Sequence, residues 1–93
     1  MGTIRIPEST KWIQLGNDFI LMSKTSGKCY RTNEAGRFIW MAITEAAQPA
    51  EIAVRMRERF AISLDQAVLD ISTFTSKMAS IGLIEGHDRV VNV

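Results

Sequence analysis

The chain has 93 residues, which predicts one domain with one modest core and little room for a deep, enclosed active site. Its net charge is +1, from 11 basic and 10 acidic side chains, which does not favour a protein whose affinity depends on neutralising many phosphates. A single cysteine excludes an internal disulfide, and no apolar run reaches membrane-spanning length. We therefore expect a cytoplasmic protein that does not partner a membrane.

The first third of the sequence predicts an antiparallel meander of three strands, at about 10–16, 18–23 and 28–32. These segments are rich in β-branched and aromatic residues. The connecting segments have turn composition, and Gly27 can adopt the positive φ that a hairpin loop needs. Residues 1–9 are expected to form an N-terminal arm.

After the third strand, apolar residues recur at three- and four-residue spacing, which predicts helices. Asn33 is predicted to cap a first helix, which ends near Ala46. Pro49 suits the first turn of a second helix, on which Glu51 and Arg55 are spaced to form an ion pair. The residues expected to be buried on these helices are Ala35, Phe38, Ile39, Ala42, Ile43, Ala46, Ile52, Ala53, Met56 and Phe60.

The third helix has the clearest boundary signals. Ser63 and Gln66 form a capping box, and Gly82 suits a left-handed helix end with Leu83 folding back onto Met78. The residues expected on its buried face are Leu64, Ala67, Ile71, Phe74, Met78 and Ile81. The domain is therefore expected to span residues 10–85, followed by a flexible tail at 86–93.

Neither the strands nor the helices can bury an apolar face alone, so the helices are expected to pack against one face of the meander. This predicts an α+β fold, a three-stranded antiparallel meander followed by three helices, with a winged helix-turn-helix-like layout.

The winged-helix layout raises DNA binding as an alternative function. A helix that reads a major groove exposes basic and amide side chains, whereas the third helix exposes Asp65, Asp70 and Ser72, with Lys77 as its single cation. The arginines occur on different sides of the second helix, at positions Arg55, Arg57 and Arg59. A winged-helix DNA-binding transcriptional regulator is thus the lesser hypothesis, and nucleic acid is not an expected partner.

Cys29 and His87 are the two side chains that suggest chemistry. A nucleophilic cysteine needs a base, and His87 lies in the predicted tail. Tyr30 projects to the opposite face of its strand from Cys29, and no Cys/His cluster has metal-site spacing. We predict no enzyme, no catalytic residue, no metal and no cofactor.

The third strand has the features of a binding edge. It leads directly into the first helix, so its outer edge is expected to be unpaired and able to accept an added peptide strand. Leu69 lies nearly opposite Ile71 on the third helix and, with Thr73 and Ser76, forms a candidate wall for such a peptide. The alternative is that Leu69 is an ordinary, singly exposed leucine.

Three segments follow the predicted hairpin in order: YRTNEAGRFIW, PAEIAVRMRERF and AVLDISTFTSKMASIGLIE. Together they resemble the PqqD-like proteins, also called RiPP recognition elements, over about residues 10–85. The matching positions are Asn33, Ile39, Trp40, Glu51, Ile52, Ala53, Phe60, Asp70, Ile71, Phe74, Gly82, Leu83 and Ile84. Two departures from the family are that Thr32 replaces a usual leucine and that Met78 replaces a leucine-like residue.

A third departure concerns the pathway. AAQPA stands where members of the quinone pathway have an Asp-Gly turn, which favours the stand-alone proteins of lasso-peptide biosynthesis. The resemblance implies that the chain binds the leader segment of a ribosomally synthesised precursor peptide by β-strand addition. It also implies that the chain presents this leader to a leader peptidase, a cyclase or another modifying enzyme of the same pathway.

The peptide is expected to lie between the third strand and the third helix. The expected peptide-binding residues are Lys28, Cys29, Tyr30, Arg31, Thr32, Val68, Leu69, Ser72, Thr73, Ser76 and Lys77. Lys28, Arg31 or Lys77 is expected to meet acidic leader residues, and a proline at Tyr30 is expected to abolish binding. The oligomeric state is left open.

Overall fold

The structure, a computed structural model, describes residues 4–85 of the chain. The elements in chain order are β1 (Thr10–Leu15), β2 (Asp18–Ser23), β3 (Cys29–Thr32), α1 (Glu34–Thr44), α2 (Pro49–Phe60) and α3 (Leu64–Ser80). The predicted α+β architecture, a meander of three strands followed by three helices, is therefore confirmed. The predicted tail at 86–93, including His87, lies outside the described residues.

The sheet is antiparallel with the order β1-β2-β3, so β3 forms one of its edges. The register pairs Thr10 with Ser23 across β1 and β2, and Met22 with Cys29 across β2 and β3. Gly27 takes a φ of 76° in the second turn, as predicted. This turn fixes how β3 is aligned on β2.

The segment before β1 is tied to the end of the helical half. Arg5 and Glu85 form an isolated antiparallel bridge, with reciprocal main-chain hydrogen bonds of 2.7 Å and an ion pair between their side chains. The buried Thr10 hydroxyl donates to the Leu83 carbonyl at 3.0 Å. These contacts hold the start of the sheet against the residues that follow α3.

The core lies on one face of the sheet only. Phe19 and Leu21 of β2 are buried beneath the helices, at 4% and 0% exposure. Trp40 on α1 is also fully buried, although it lies outside the predicted stripe, because α1 packs against β3, α2 and α3 together and buries a wide surface. Leu64 was predicted to be buried and is 41% exposed, because helical periodicity does not show where along a helix its neighbours end.

The ends of α3 follow the predicted pattern. The Ser63 side chain accepts a hydrogen bond from the Gln66 backbone N–H at 3.0 Å, which is the capping half of the predicted box, while the Gln66 side chain bonds Asp70. Gly82 has a φ of 81°, and the Leu83 N–H donates to the Met78 carbonyl at 2.9 Å, which is the main contact of a Schellman motif. Both boundaries of α3 are therefore set by local sequence.

The end of α1 differs from the prediction. The helix ends at Thr44, and Ala46 is exposed with a φ of 64°, rather than buried on the helix. The Ala46 N–H donates to Ile43 at 2.9 Å and the Ala47 N–H to Ala42 at 3.1 Å, which again makes a Schellman motif. An alanine therefore occupies a left-handed position that favours glycine, at a cost of about 1–2 kcal/mol.

Candidate peptide-binding site

A cleft of about 450 Å³ lies between β3, α1 and α3. Its floor is apolar, with Ile39 and Phe74 buried, whereas Leu69 on its wall is 57% exposed. The lining residues are Tyr30, Thr32, Asn33, Ala35, Gly36, Ile39, Leu69, Asp70, Thr73, Phe74 and Lys77. An apolar floor with a few polar groups at the rim is the usual composition of a ligand site.

A close joint between β3 and α1 positions the cleft. Asn33 ends the strand and caps the helix, since its side-chain oxygen accepts from the Gly36 N–H at 3.0 Å. A Cβ atom on Gly36 would lie 1.9 Å from Thr32 Oγ1, so only glycine allows the strand to approach the helix this closely. The edge of β3 is thereby held beside Ile39 on the cleft floor.

The register shows which main-chain groups of β3 face outward. The Ser23 N–H donates to the Lys28 carbonyl at 2.9 Å, and Leu21 lies opposite Tyr30. Because hydrogen-bonded pairs alternate along an antiparallel ladder, Tyr30 bonds β2, and the N–H and C=O groups of Cys29 and Arg31 point to the open side. The proline test predicted for Tyr30 would therefore break the sheet itself, and Arg31 is the appropriate position.

The predicted peptide-binding residues separate into two groups. Five of them line the cleft, at positions Tyr30, Thr32, Leu69, Thr73 and Lys77. Cys29 and Arg31 belong to the open edge of β3, whereas Lys28 precedes the strand and its carbonyl bonds Ser23 of β2, so it is part of neither the open edge nor the cleft lining.

Three predicted residues of α3 lie outside the cleft lining: Val68, Ser72 and Ser76. Their role in peptide binding stays a prediction. Each residue turns α3 by about 100°, so Val68, which is 52% exposed, faces a different direction from its neighbour Leu69.

Other lining residues were missed by the sequence prediction, namely Asn33, Ala35, Gly36, Ile39, Asp70 and Phe74. The first four of these residues could have been predicted from the sequence, because β3 passes directly into α1 and so places the first turns of that helix beside the open edge of β3. Phe74 was assigned to the core, and it is buried there at 8% exposure while also forming part of the cleft floor.

The arginines of α2, which a DNA-binding surface would need as cations, are mostly engaged in ion pairs. Arg55 contacts Glu45 at 3.1 Å and Glu51 at 2.8 Å, and these hydrogen bonds, led by that to Glu45, raise the pKa of Arg55. Arg59 pairs with Glu34. These pairs offset most of the positive charge that α2 would offer to a phosphate backbone.

The sheet face opposite the helices, here called the outer sheet face, is uncovered by residues 4–85 and carries several apolar side chains, together with Lys11 and Arg31. Ile13, Leu15 and Met22 are 54%, 53% and 40% exposed. Ile13 lies directly across from the half-buried Ile20, and Met22 lies across from the exposed Cys29. The outer sheet face therefore continues to the open edge of β3.

The described part of the chain gives no sign of a metal centre or a membrane span. No group of three or more His, Cys, Asp or Glu side chains in residues 4–85 is placed to hold a metal ion. None of the helices in that range has both the length and the apolar character needed to cross a bilayer.

The meander with an open edge, the cleft beside it and the three following helices define the architecture of a PqqD-like domain. The chain belongs to the PqqD family, since the family described as coenzyme PQQ synthesis protein D matches residues 18–84. Among curated proteins, no sequence matches significantly.

Two solved structures share the fold. TbiB1 in complex with the TbiA(beta) leader peptide aligns with a TM-score of 0.83 at 19% identity, covering 90% of this chain and 98% of that one. A lasso peptide synthetase B1 complexed with the leader peptide aligns with a TM-score of 0.82 at 17% identity, covering 88% of this chain and 96% of that one. Both similar proteins are thus described with a leader peptide bound.

Proposed function

We propose that this chain is a non-catalytic recognition module that binds the leader segment of a ribosomally synthesised precursor peptide, of the lasso-peptide type. The observation that carries the proposal is the edge of β3, which no strand of residues 4–85 pairs, beside an apolar cleft. The family match and the leader-peptide complexes of both structural neighbours support it. The leader adds a fourth strand to the sheet.

Binding combines main-chain and side-chain recognition. Cys29 and Arg31 supply the outward N–H and C=O groups that pair with the leader backbone, while apolar leader side chains enter the cleft over Ile39 and Phe74. Because main-chain pairing is largely independent of sequence, the side chains that fill the cleft provide most of the specificity. The binding domain spans residues 10–85, and the protein acts in the cytoplasm.

The leader peptidase of the pathway docks on the outer sheet face. An enzyme that covers Ile13, Leu15 and Met22 removes exposed apolar surface from water and lies next to the bound leader, the segment that a leader peptidase cleaves. The sheet thus uses its edge for the peptide and its outer face for the enzyme that processes that peptide.

DNA binding receives less support. Arg55 and Arg59 of α2 are paired with carboxylates, and α3 presents Leu69, Asp70 and Thr73 to the cleft instead of a set of cations. Protein–DNA affinity depends strongly on neutralised phosphates and on salt.

The test is a titration of the protein with the fluorescein-labelled leader of the precursor encoded beside its gene, followed by amide shifts in NMR. Saturable binding with shifts confined to β3 and the cleft is the expected result. A duplex DNA of mixed sequence serves as the control, and tight, salt-dependent binding of the duplex with none of the leader would replace this proposal by the alternative.

The non-catalytic role has its own test at Cys29. Cys29→Ser keeps the side-chain size and leaves the main chain of β3 intact, so the leader is still bound and the pathway product is still made. A variant that binds the leader normally but yields no product would show that the thiol performs chemistry.

A further inference from the structure

We infer that the cleft selects leader peptides that place an acidic side chain at its Lys77 end. This inference rests on the proposed function and adds the chemical character of the peptide to it. It follows from the two charged side chains of the cleft, because one of them is hydrogen-bonded within the protein and the other is left available to a ligand.

Lys77 is the cation on the cleft wall, and it is exposed. Its neighbours three and four residues away on α3 are Thr73, Phe74, Ser80 and Ile81, so no carboxylate is spaced to pair with it along the helix. Among the ion pairs of residues 4–85, which engage Arg5, Arg31, Arg55 and Arg59, none involves Lys77.

Asp70 is the carboxylate on the same wall, and its situation differs. Gln66 Nε2 donates to Asp70 Oδ1 at 2.7 Å, so part of its hydrogen-bonding capacity is used within α3. Asp70 is also half-buried, whereas Lys77 is exposed. The charge that the cleft leaves available to a ligand is therefore positive and is located at Lys77.

The two charged groups also give the cleft a polarity. Seven residues separate them on α3, which corresponds to about 10 Å along the helix axis. An extended peptide covers that distance in about three residues, and because successive side chains of a strand alternate between its faces, the two leader side chains that face α3 are two or four positions apart. A leader with an acidic residue at the Lys77 end, and a neutral or basic residue two or four positions away at the Asp70 end, fits the cleft in one direction and is repelled in the other.

A bound peptide makes the Lys77 pair stronger than an ordinary surface pair. Exposed ion pairs contribute little because water screens both charges. A strand lying between β3 and α3 displaces water from the cleft and fixes the position of its side chains, so the ammonium group and a leader carboxylate interact at short range in a less polar environment.

The experiment is a display selection of random 15-residue peptides against the wild-type protein, Lys77→Glu and Lys24→Glu. Lys24 is exposed in the turn after β2, outside the cleft, so its variant makes the same change in net charge elsewhere. We expect acidic residues to be enriched at one position of the wild-type and Lys24→Glu pools, and basic residues at that position of the Lys77→Glu pool. Individual wild-type binders should lose about 5- to 30-fold in affinity for Lys77→Glu, with a weaker dependence on salt.

Two failures can be told apart by counter-screening the wild-type binders against Arg31→Pro, which removes an outward N–H of β3. Binders that depend on Arg31 but show no acidic preference overturn this inference and leave the proposed function standing. The same holds if the peptides selected with Lys77→Glu still prefer acidic residues at that position. Binders that are indifferent to Arg31→Pro overturn the proposed function, and this inference with it.

Discussion

Strand addition to β3 makes a prediction that depends on the alternation of its hydrogen bonds. Arg31→Pro removes an N–H that faces the open edge, whereas Tyr30→Pro removes one that bonds β2 opposite Leu21. Proline is tolerated on edge strands where its missing N–H faces solvent. Arg31→Pro should therefore fold and bind the leader more weakly, while Tyr30→Pro should damage the fold.

The size of each effect follows from the groups left unpaired. In the complex with Arg31→Pro, a leader carbonyl loses its partner, which costs about 1–3 kcal/mol and raises the Kd by about 5- to 150-fold. The Arg31–Asp18 pair, at 3.3 Å and well exposed, contributes at most about 1 kcal/mol to folding. In Tyr30→Pro the unpaired carbonyl belongs to the sheet, so the same penalty lowers the stability of the free protein.

Leader affinity by fluorescence anisotropy and Tm by calorimetry separate these effects. Arg31→Ala controls for loss of the side chain and should retain most of the affinity. Gln14→Pro is the matched control on the opposite edge, because the bond from the Lys24 N–H to Ser9 at 2.8 Å places the Gln14 N–H on the outward side of β1. A folded Arg31→Pro with wild-type affinity, or a Gln14→Pro that loses binding equally, would refute strand addition at β3.

Three further predictions concern the helix joints and the outer sheet face. Ala46→Gly should stabilise the protein by about 0.5–1 kcal/mol, because it relieves the left-handed position after α1, whereas Ala47→Gly should not raise the Tm. Gly36→Ala should lower stability by about 1–3 kcal/mol in thermal unfolding, and Thr32→Ala should restore part of the loss, since Thr32 Cβ remains 2.9 Å from the added methyl group. Ile13→Lys should leave leader affinity unchanged and weaken pull-down of the leader peptidase; unchanged pull-down would place the enzyme elsewhere.

The sequence alone determined the elements and most of their ends. The Asn33 and Ser63 caps and the left-handed Gly82 depend on contacts within four or five residues, so their signals are complete in the local sequence. The periodicity of the helices likewise predicted most of the helical residues that face the core. The ordered motifs were enough to indicate the family.

Local sequence was less informative about the turn after α1 and about the burial of Trp40. Ala46 carries no signal for a left-handed turn, yet the chain adopts one there because the α1–α2 connection is short and must reverse direction. Trp40 was missed because its burial depends on α1 packing against three other elements rather than one.

Only the tertiary structure decided the geometry of the site. Which N–H groups of β3 face outward depends on its register against β2, and a shift of one residue would exchange Tyr30 with Arg31. The cleft joins residues of β3 and α1 to residues of α3 that lie at least 30 positions later in the sequence. The rotation of α3 about its axis places Leu69, Thr73 and Lys77 in the cleft lining and leaves Val68, Ser72 and Ser76 outside it. That rotation is determined by the packing of the buried face of α3 against the core.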